Sequence, residues 1–120
     1  SWRGCQGASF PKNNLIENLD KILFSDLINL TYLNLSFNKI DNLEADLFNN
    51  LKNLKILDLS TNKISSIINV FNGLDNLNEL NLAANELKFP QDSKNEPFSC
   101  LKNLQILDLS SNPIDWIYRK

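Results

Sequence analysis

The amino-acid sequence predicts an α/β solenoid in which a short strand and a looped return segment recur along the chain. The first observation is spacing, since the frame that ends at Asn38 returns, at nearly regular intervals, ending at Asn62, Asn85 and Asn112. The second is the alternation of leucine with a polar residue before each asparagine, the period of a strand with one buried side. The third is a phenylalanine in the return segment after each of the first three asparagines.

The N-terminal segment, residues 1–26, is predicted to be a degenerate repeat that acts as a cap. Carried back by one repeat, the frame puts Ser9 and Pro11 where Leu33 and Leu35 stand. Because proline has no N–H to donate to a sheet, this stretch is expected at an edge.

The strands of the following repeats are predicted to stack as one parallel sheet, near residues 32–35, 56–59, 79–82 and 106–109. The full repeats are assigned to residues 27–50, 51–73 and 74–100, with an outer-loop insertion near 88–97 and a truncated last repeat at 101–120. The insertion contains prolines and charged residues, so it is expected to bulge into solvent. The whole chain is therefore one domain.

Two repeated residue types are predicted to hold the coils together. A side-chain amide carries both donors and an acceptor, so it can bond the backbone groups that would be buried where the chain leaves each strand. This predicts a hydrogen-bonded ladder of Asn38, Asn62, Asn85 and Asn112. Phenylalanines are expected to fill the wider return side as a spine of Phe24, Phe48, Phe71 and Phe98.

The full pattern is Leu-x-x-Leu-x-Leu-x-x-Asn-x-Ile/Leu, in units of 24, 23 and 27 residues that have a Phe near the end. Over residues 14–117 it resembles leucine-rich repeat proteins of the animal "typical" class. Segments such as Leu57-Asp58-Leu59-Ser60-Thr61-Asn62 are most similar to Toll and Toll-like receptor ectodomains. The resemblance implies a right-handed horseshoe with a parallel sheet on the concave face and loops or short 3₁₀ turns outside.

The composition argues against catalysis and against metal or cofactor binding. The chain has no His and only 3 Gly, so a His-based catalytic arrangement and a glycine-rich phosphate loop are excluded. No Cys/His cluster offers a metal site, and no cofactor is expected. With 12 basic and 14 acidic residues interspersed, there is no basic stripe for nucleic acid. No apolar run is long enough to span a membrane. We therefore expect a non-catalytic recognition module.

The predicted binding surface is the concave face or a flank of the solenoid, and on the concave sheet equivalent positions of successive strands align. Exposed apolar side chains beside polar ones are typical of a protein-recognition surface. The candidate residues are Tyr32, Asn34, Lys55, Ile56, Asp58, Glu79, Asn81, Ile106 and Asp108. A structural alternative stays open, because Asp is common in its slot in the resembling family and Ile can pack sideways on its neighbours. The expected partner is a protein ligand or receptor partner, and dimerisation of a larger ectodomain is a further expectation.

Cysteines and sequons bear on the compartment. Cys5 and Cys100 are predicted to lie three or four strand steps apart, too far for a mutual disulfide. Either both are free, as in a cytosolic protein, or their partners lie in sequence outside this chain. Asn29-Leu30-Thr31 and Asn34-Leu35-Ser36 are N-glycosylation sequons, of which Asn29 is favoured.

The resemblance implies an extracellular or cell-surface protein whose parent chain is membrane-anchored, with a role in innate immunity or development. The alternative is an intracellular leucine-rich repeat scaffold or adaptor with free thiols and unused sequons.

Overall fold

The computed structural model describes residues 7–9, 17, 19–88 and 97–114. Five short parallel strands form one sheet in chain order, and a single turn of helix lies between the first two. The elements are β1 (Gly7–Ser9), α1 (Lys21–Phe24), β2 (Tyr32–Asn34), β3 (Ile56–Asp58), β4 (Glu79–Asn81) and β5 (Ile106–Asp108). The α/β solenoid predicted from the sequence is confirmed.

Strand register follows the leucine frame. Leu33 pairs with Leu57, Leu57 with Leu80, and Leu80 with Leu107, so the middle residue of each strand points the same way. Each of the first three is fully buried, because strand side chains alternate between the two faces of a sheet.

The first strand lies at the edge of the described sheet, where it pairs with β2 alone, but its predicted alignment was wrong by a single position. Ala8, not Ser9, pairs with Leu33, and Ser9 pairs with Asn34. The residue that pairs with Leu33 lies one position earlier in the chain than the frame predicts, so the first repeat is one residue longer. The small residues of this stretch carried no leucine alternation that could have fixed its register.

The short helix α1 occupies the convex return of the first described coil. Asp20 caps it, since its Oδ1 accepts from the Ile22 N–H at 3.0 Å, and Ser25 Oγ donates to the Ile22 carbonyl at 3.0 Å. Its first N–H, that of Lys21, donates at 2.9 Å to Glu44 Oε1 in the next repeat. A helix of one turn is too short to be stable alone, so it depends on burial of Phe24 and on these caps.

The core lies between the sheet and the convex returns. Phe24, Phe48 and Phe71 are buried, while Phe98 is half-buried. Ring centroids are 5.4 Å apart for Phe24 and Phe48 and 6.2 Å apart for Phe71 and Phe98. Full burial of such a side chain contributes about 1.5–3 kcal/mol, so the aromatic series is a main source of cohesion on the convex side.

A close approach between repeats occurs at Gly73, whose φ of +91° is in the left-handed region. A Cβ added to Gly73 would lie 2.7 Å from Asn49 Cα in the preceding repeat. The position therefore requires glycine both for backbone conformation and for space.

The last strand is less covered than β2, β3 and β4. Leu107 is 37% exposed, whereas its pairing partner Leu80 is fully buried, because no further described strand follows β5 to carry a coil that packs over Leu107. Residues 89–96, which hold most of the predicted outer-loop insertion, lie outside the described residues, as does Cys5.

Candidate recognition face

The concave face is built by the outward-facing residues of β2 to β5. Register places Tyr32, Ile56, Glu79 and Ile106 side by side in one column. Tyr32 is 37% exposed and Ile106 is 55% exposed, while Ile56 and Glu79 are half-buried. The two ends of this apolar column are therefore its most accessible parts, and a carboxylate interrupts it between Ile56 and Ile106.

A second column, Asn34, Asp58, Asn81 and Asp108, lies one step along the strands. Each member holds the start of the turn that follows its strand. Oδ1 of Asp58 accepts from the Ser60 N–H at 2.9 Å and from Ser60 Oγ at 2.7 Å. Asn34 and Asp108 make the same pair of bonds to Ser36 and Ser110, and Asn81 accepts from the Ala83 N–H at 3.0 Å.

These bonds give the second column a structural task that sequence reasoning missed. Asp58 and Asp108 were predicted as polar contacts to a partner, yet one oxygen of each is taken by the turn. Oδ2 of both residues and Nδ2 of Asn34 and Asn81 make no hydrogen bond to another described residue, so half of each side chain still faces outward. The column can thus brace the fold and present polar atoms at once.

The carboxylate of Asp108 shows the electrostatic effect of this brace. The Ser110 hydroxyl, and next the Ser110 N–H, lower the pKa of Asp108 because both donate to its ionised form. Asp108 is exposed, so the charge is presented to solvent rather than buried.

The third concave column holds Thr31, Lys55, Asn78 and Gln105. The backbone carbonyls of its first three members each accept from two N–H groups; the Thr31 oxygen accepts from Lys55 N at 2.8 Å and Ile56 N at 3.1 Å. Lys55 is exposed and is the one cation in the three concave columns. No ion pair joins it to Asp58, Glu79 or Asp108 in the described structure.

Behind the concave face, the predicted asparagine series lies where each strand turns away. Asn62 Nδ2 donates to the carbonyls of Leu59, Ser60 and Leu35 at 3.0–3.2 Å, and its Oδ1 accepts from Ile40 N at 3.1 Å. Asn85 and Asn112 repeat this set one and two coils later. We call these residues and Asn38 the buried series; Asn112, the last member, is half-buried.

Asn38 is the first member and differs from the rest. Its Nδ2 donates to the carbonyls of Leu35 and Ser36, but its buried Oδ1 has no hydrogen-bond partner among the described residues. In the later members this oxygen is bonded by the preceding repeat, so Asn38 marks the N-terminal end of the described series.

A second asparagine series precedes the strands and was missed by sequence reasoning. Nδ2 of Asn53, Asn76 and Asn103 donates to the carbonyls of Ile28, Lys52 and Asp75 in the preceding repeat, at 2.7–2.8 Å. All three residues are exposed, and we call them the exposed series. The signal was present in the sequence, because each stands in a Leu-x-Asn-Leu tetrapeptide. Asn29 holds the same place in the first such tetrapeptide, residues 27–30.

The turn before each buried asparagine requires an unusual backbone. Phe37, Thr61, Ala84 and Ser111 all have φ between +56° and +59°. Left-handed backbone is costly for residues other than Gly, Asn and Asp, and most of all for β-branched ones. The convex returns reach the same region with tolerant residues, Asp46 and Asn69.

Chemistry-bearing groups are sparse in the described structure. Cys100 is a half-buried free thiol, and its pKa is raised mainly by desolvation on burial. No group of three or more His, Cys, Asp or Glu residues in the described ranges could hold a metal ion. Nor does any helix there have the length and apolar character to cross a membrane.

Family models match most of this architecture. Residues 12–64 and 28–87 match a model described as leucine rich repeat, and residues 100–115 match a second model of that description. The chain belongs to the leucine-rich repeat family. Among curated protein sequences none matches it significantly.

Solved structures resemble this leucine-rich repeat chain strongly. Drosophila Toll in complex with Spatzle superposes with a TM-score of 0.84 at 30% identity, covering 94% of this chain and 16% of that one. TLR13 in complex with ssRNA13 gives 0.76 at 36% identity, covering 86% and 14%. An internalin from Listeria monocytogenes gives 0.69 at 35% identity, covering 88% and 29%.

The chain thus spans less than a third of the length of these proteins. The predicted resemblance to Toll and Toll-like receptor ectodomains is confirmed. The family and its fold are typically non-catalytic, and together they make this leucine-rich repeat domain a protein-interaction module.

Proposed function

We propose that this chain is a recognition segment of an extracellular or cell-surface receptor and that it binds a protein partner through its concave face. The observation that carries the proposal is the strand register, which aligns Tyr32, Ile56 and Ile106 in one column with Glu79. The likeness to Toll bound to Spatzle supports both a protein partner and an extracellular location.

Tyr32 and Ile106 are proposed as the main anchors, because they are the exposed members of the column. Aromatic and large apolar side chains dominate the binding energy of protein interfaces when a partner buries them. Ile56 is half-buried already, so it has less surface left to contribute.

Charge on the concave face favours a cationic partner segment. Asp58, Glu79 and Asp108 present carboxylates, and Lys55 is the one positive group in the same columns. Complementary charges steer association and fix register more than they add affinity. TLR13 is bound to RNA in its solved complex, but carboxylates at these positions repel phosphates, so a protein partner is the better fit.

The test is photo-crosslinking. The whole chain, with a photoreactive residue at one of several matched positions, is incubated in the extracellular medium of its source tissue. A photoreactive residue replaces Tyr32 or Ile106 on the concave face, or Ile68, which is 57% exposed on a convex return, as the control. Tyr32 and Ile106 should label the same protein, and Ile68 should not.

Two outcomes would contradict the proposal. Equal labelling from Ile68 would move the contact to the convex side, and labelling of RNA instead of protein would overturn the choice of partner. Loss of the Ile106 crosslink in a Tyr32→Ser variant, and of the Tyr32 crosslink in an Ile106→Ser variant, with cooperative unfolding retained in both, would assign the anchors.

A further inference from the structure

We propose that Asn29 is the N-glycan acceptor of this chain and that Asn34 is not. The two sequons lie close together in the chain and have the same local sequence form, Asn-Leu-Thr or Asn-Leu-Ser. The structure separates them by burial, by bonding and by the surface on which a glycan would stand. The inference rests on the extracellular location proposed above.

Asn29 meets the requirements of an acceptor. It is exposed in the turn that leads into β2, and no hydrogen bond joins its side chain to another described residue. Sequons that carry glycans lie on surface loops, because the sugar must remain in water after folding. Its neighbour Ile28 is 56% exposed, and a glycan at Asn29 would cover this apolar surface.

Position in the exposed series adds a second argument. Asn53, Asn76 and Asn103 each use Nδ2 to bond the preceding repeat, and none of them stands in a sequon, because Lys55, Asn78 and Gln105 take the third place. Asn29 makes no such bond to a described residue, and it is also the member followed by threonine at that place.

Asn34 fails on the same criteria. It lies in β2 on the concave face, half-buried between β1 and β3. Its Oδ1 accepts from Ser36 N at 2.9 Å and Ser36 Oγ at 2.7 Å, and Ser36 itself is only 4% exposed. Asp58 pairs with Asn34 on the adjacent strand, about 4.8 Å away, and Tyr32 lies two residues earlier on the same face of β2, so a sugar on Asn34 would stand over both.

The modification is a transfer of oligosaccharide from a lipid diphosphate donor. Asn29 Nδ2 forms a bond to sugar C1, the bond from C1 to the diphosphate oxygen breaks, the amide nitrogen loses one proton, and lipid diphosphate leaves. The glycan would then occupy the flank from which the strands begin. The concave face and the opposite flank, which holds the buried series, would stay open to a partner.

The experiment is secretion of the whole chain, behind a cleavable signal peptide, from insect cells. Peptides are released, deglycosylated enzymatically in heavy-oxygen water and measured by mass spectrometry, so that each formerly modified Asn carries the label. We expect the label on the Asn29 peptide in most of the secreted protein and none at Asn34.

Matched variants separate the two sites. Asn29→Gln and Thr31→Val should each abolish the glycan. Ser36→Ala destroys the other sequon while introducing the alanine that the third repeat has at Ala83, so it should fold and leave the glycan unchanged. An unlabelled Asn29 peptide, in secreted or retained protein, or a label at Asn34 would overturn the proposal. Neither result would bear on photo-crosslinking from Tyr32.

Discussion

Two series of asparagines run along this solenoid at the same repeat spacing, one buried behind the turns and one exposed before the strands. In both, Nδ2 donates to a backbone carbonyl of the preceding repeat. The buried Asn62 adds two further donor contacts and accepts a backbone N–H, whereas the exposed Asn53 makes one bond beside water. Water can replace the exposed bond but not the buried set, so burial decides how much each series contributes to stability.

The largest effect is expected for Asn85→Asp. The new carboxylate would face the carbonyls of Leu59, Leu82 and Ala83, which now accept from Nδ2 at 3.0–3.3 Å. An uncompensated buried charge should destabilise the fold by about 3–5 kcal/mol. Because burial raises the folded pKa of the new carboxyl, the loss should be largest at neutral pH and shrink as pH falls through that pKa. Urea unfolding at neutral pH and at a pH below the folded pKa measures the loss. A loss at neutral pH no larger than that of Asn76→Asp would contradict the prediction.

Asn62→Ala removes the same bonds without adding charge. It leaves the Ile40 N–H and up to three carbonyls unpaired, so we expect a loss of about 2–4 kcal/mol in unfolding free energy. Chemical denaturation measures the difference. Asn53→Ala, in the same repeat but in the exposed series, is the control. Equal losses of unfolding free energy in the two variants would show that burial does not separate the series.

Asn76→Ala tests the exposed series directly. Its single bond, to the Lys52 carbonyl at 2.8 Å, can be replaced by water, so the expected loss is about 0.5–1.5 kcal/mol. Amide exchange around residues 52–54 and 75–77 would show whether the effect stays local. A loss as large as that of Asn62→Ala would mean that the exposed series is as important to the fold as the buried one.

Substitution of a turn residue beside the buried series is expected to raise the stability of the fold instead of lowering it. Thr61 has a φ of +56°, where asparagine is tolerated and a β-branched residue is strained. Thr61→Asn should therefore stabilise the fold by about 0.5–1 kcal/mol, measured as a higher denaturation midpoint. The reverse change, Asn69→Thr at a φ of +57°, should cost a similar amount. Destabilisation by Thr61→Asn would refute the backbone explanation.

The smallest effect concerns the concave brace. Ser110→Ala removes the hydroxyl that most lowers the pKa of Asp108, so that pKa should rise toward its ordinary value. A lowered folded pKa stabilises the fold above the unfolded pKa, and this contribution is lost as pH falls through the folded value. The variant should lose part of that contribution. Carboxyl NMR titration measures the change, and an unchanged Asp108 pKa would contradict the assignment.

Repeat spacing was enough to predict the solenoid, the parallel strands and the concave columns, because leucine alternation and amide bonding capacity are properties of residue type. The edge strand was misaligned because Ala8 and Ser9 give no apolar signal. Thr61 and Ala84 were not predicted to be left-handed, since nothing in their chemistry favours it. The bonds from Asp58 to Ser60 depend on a side-chain orientation at the strand end, which spacing alone does not specify.

The side-chain amides of both series have a direction. Asn62, Asn85 and Asn112 reach back to Leu35, Leu59 and Leu82, and the exposed asparagines reach back in the same sense. During synthesis from the N-terminus, each asparagine therefore emerges after the carbonyl that it will bond. A newly synthesised coil can therefore form its asparagine bonds with coils that have already folded, before the rest of the chain is made. The C-terminal end of the folded solenoid thus provides the acceptors for the next coil.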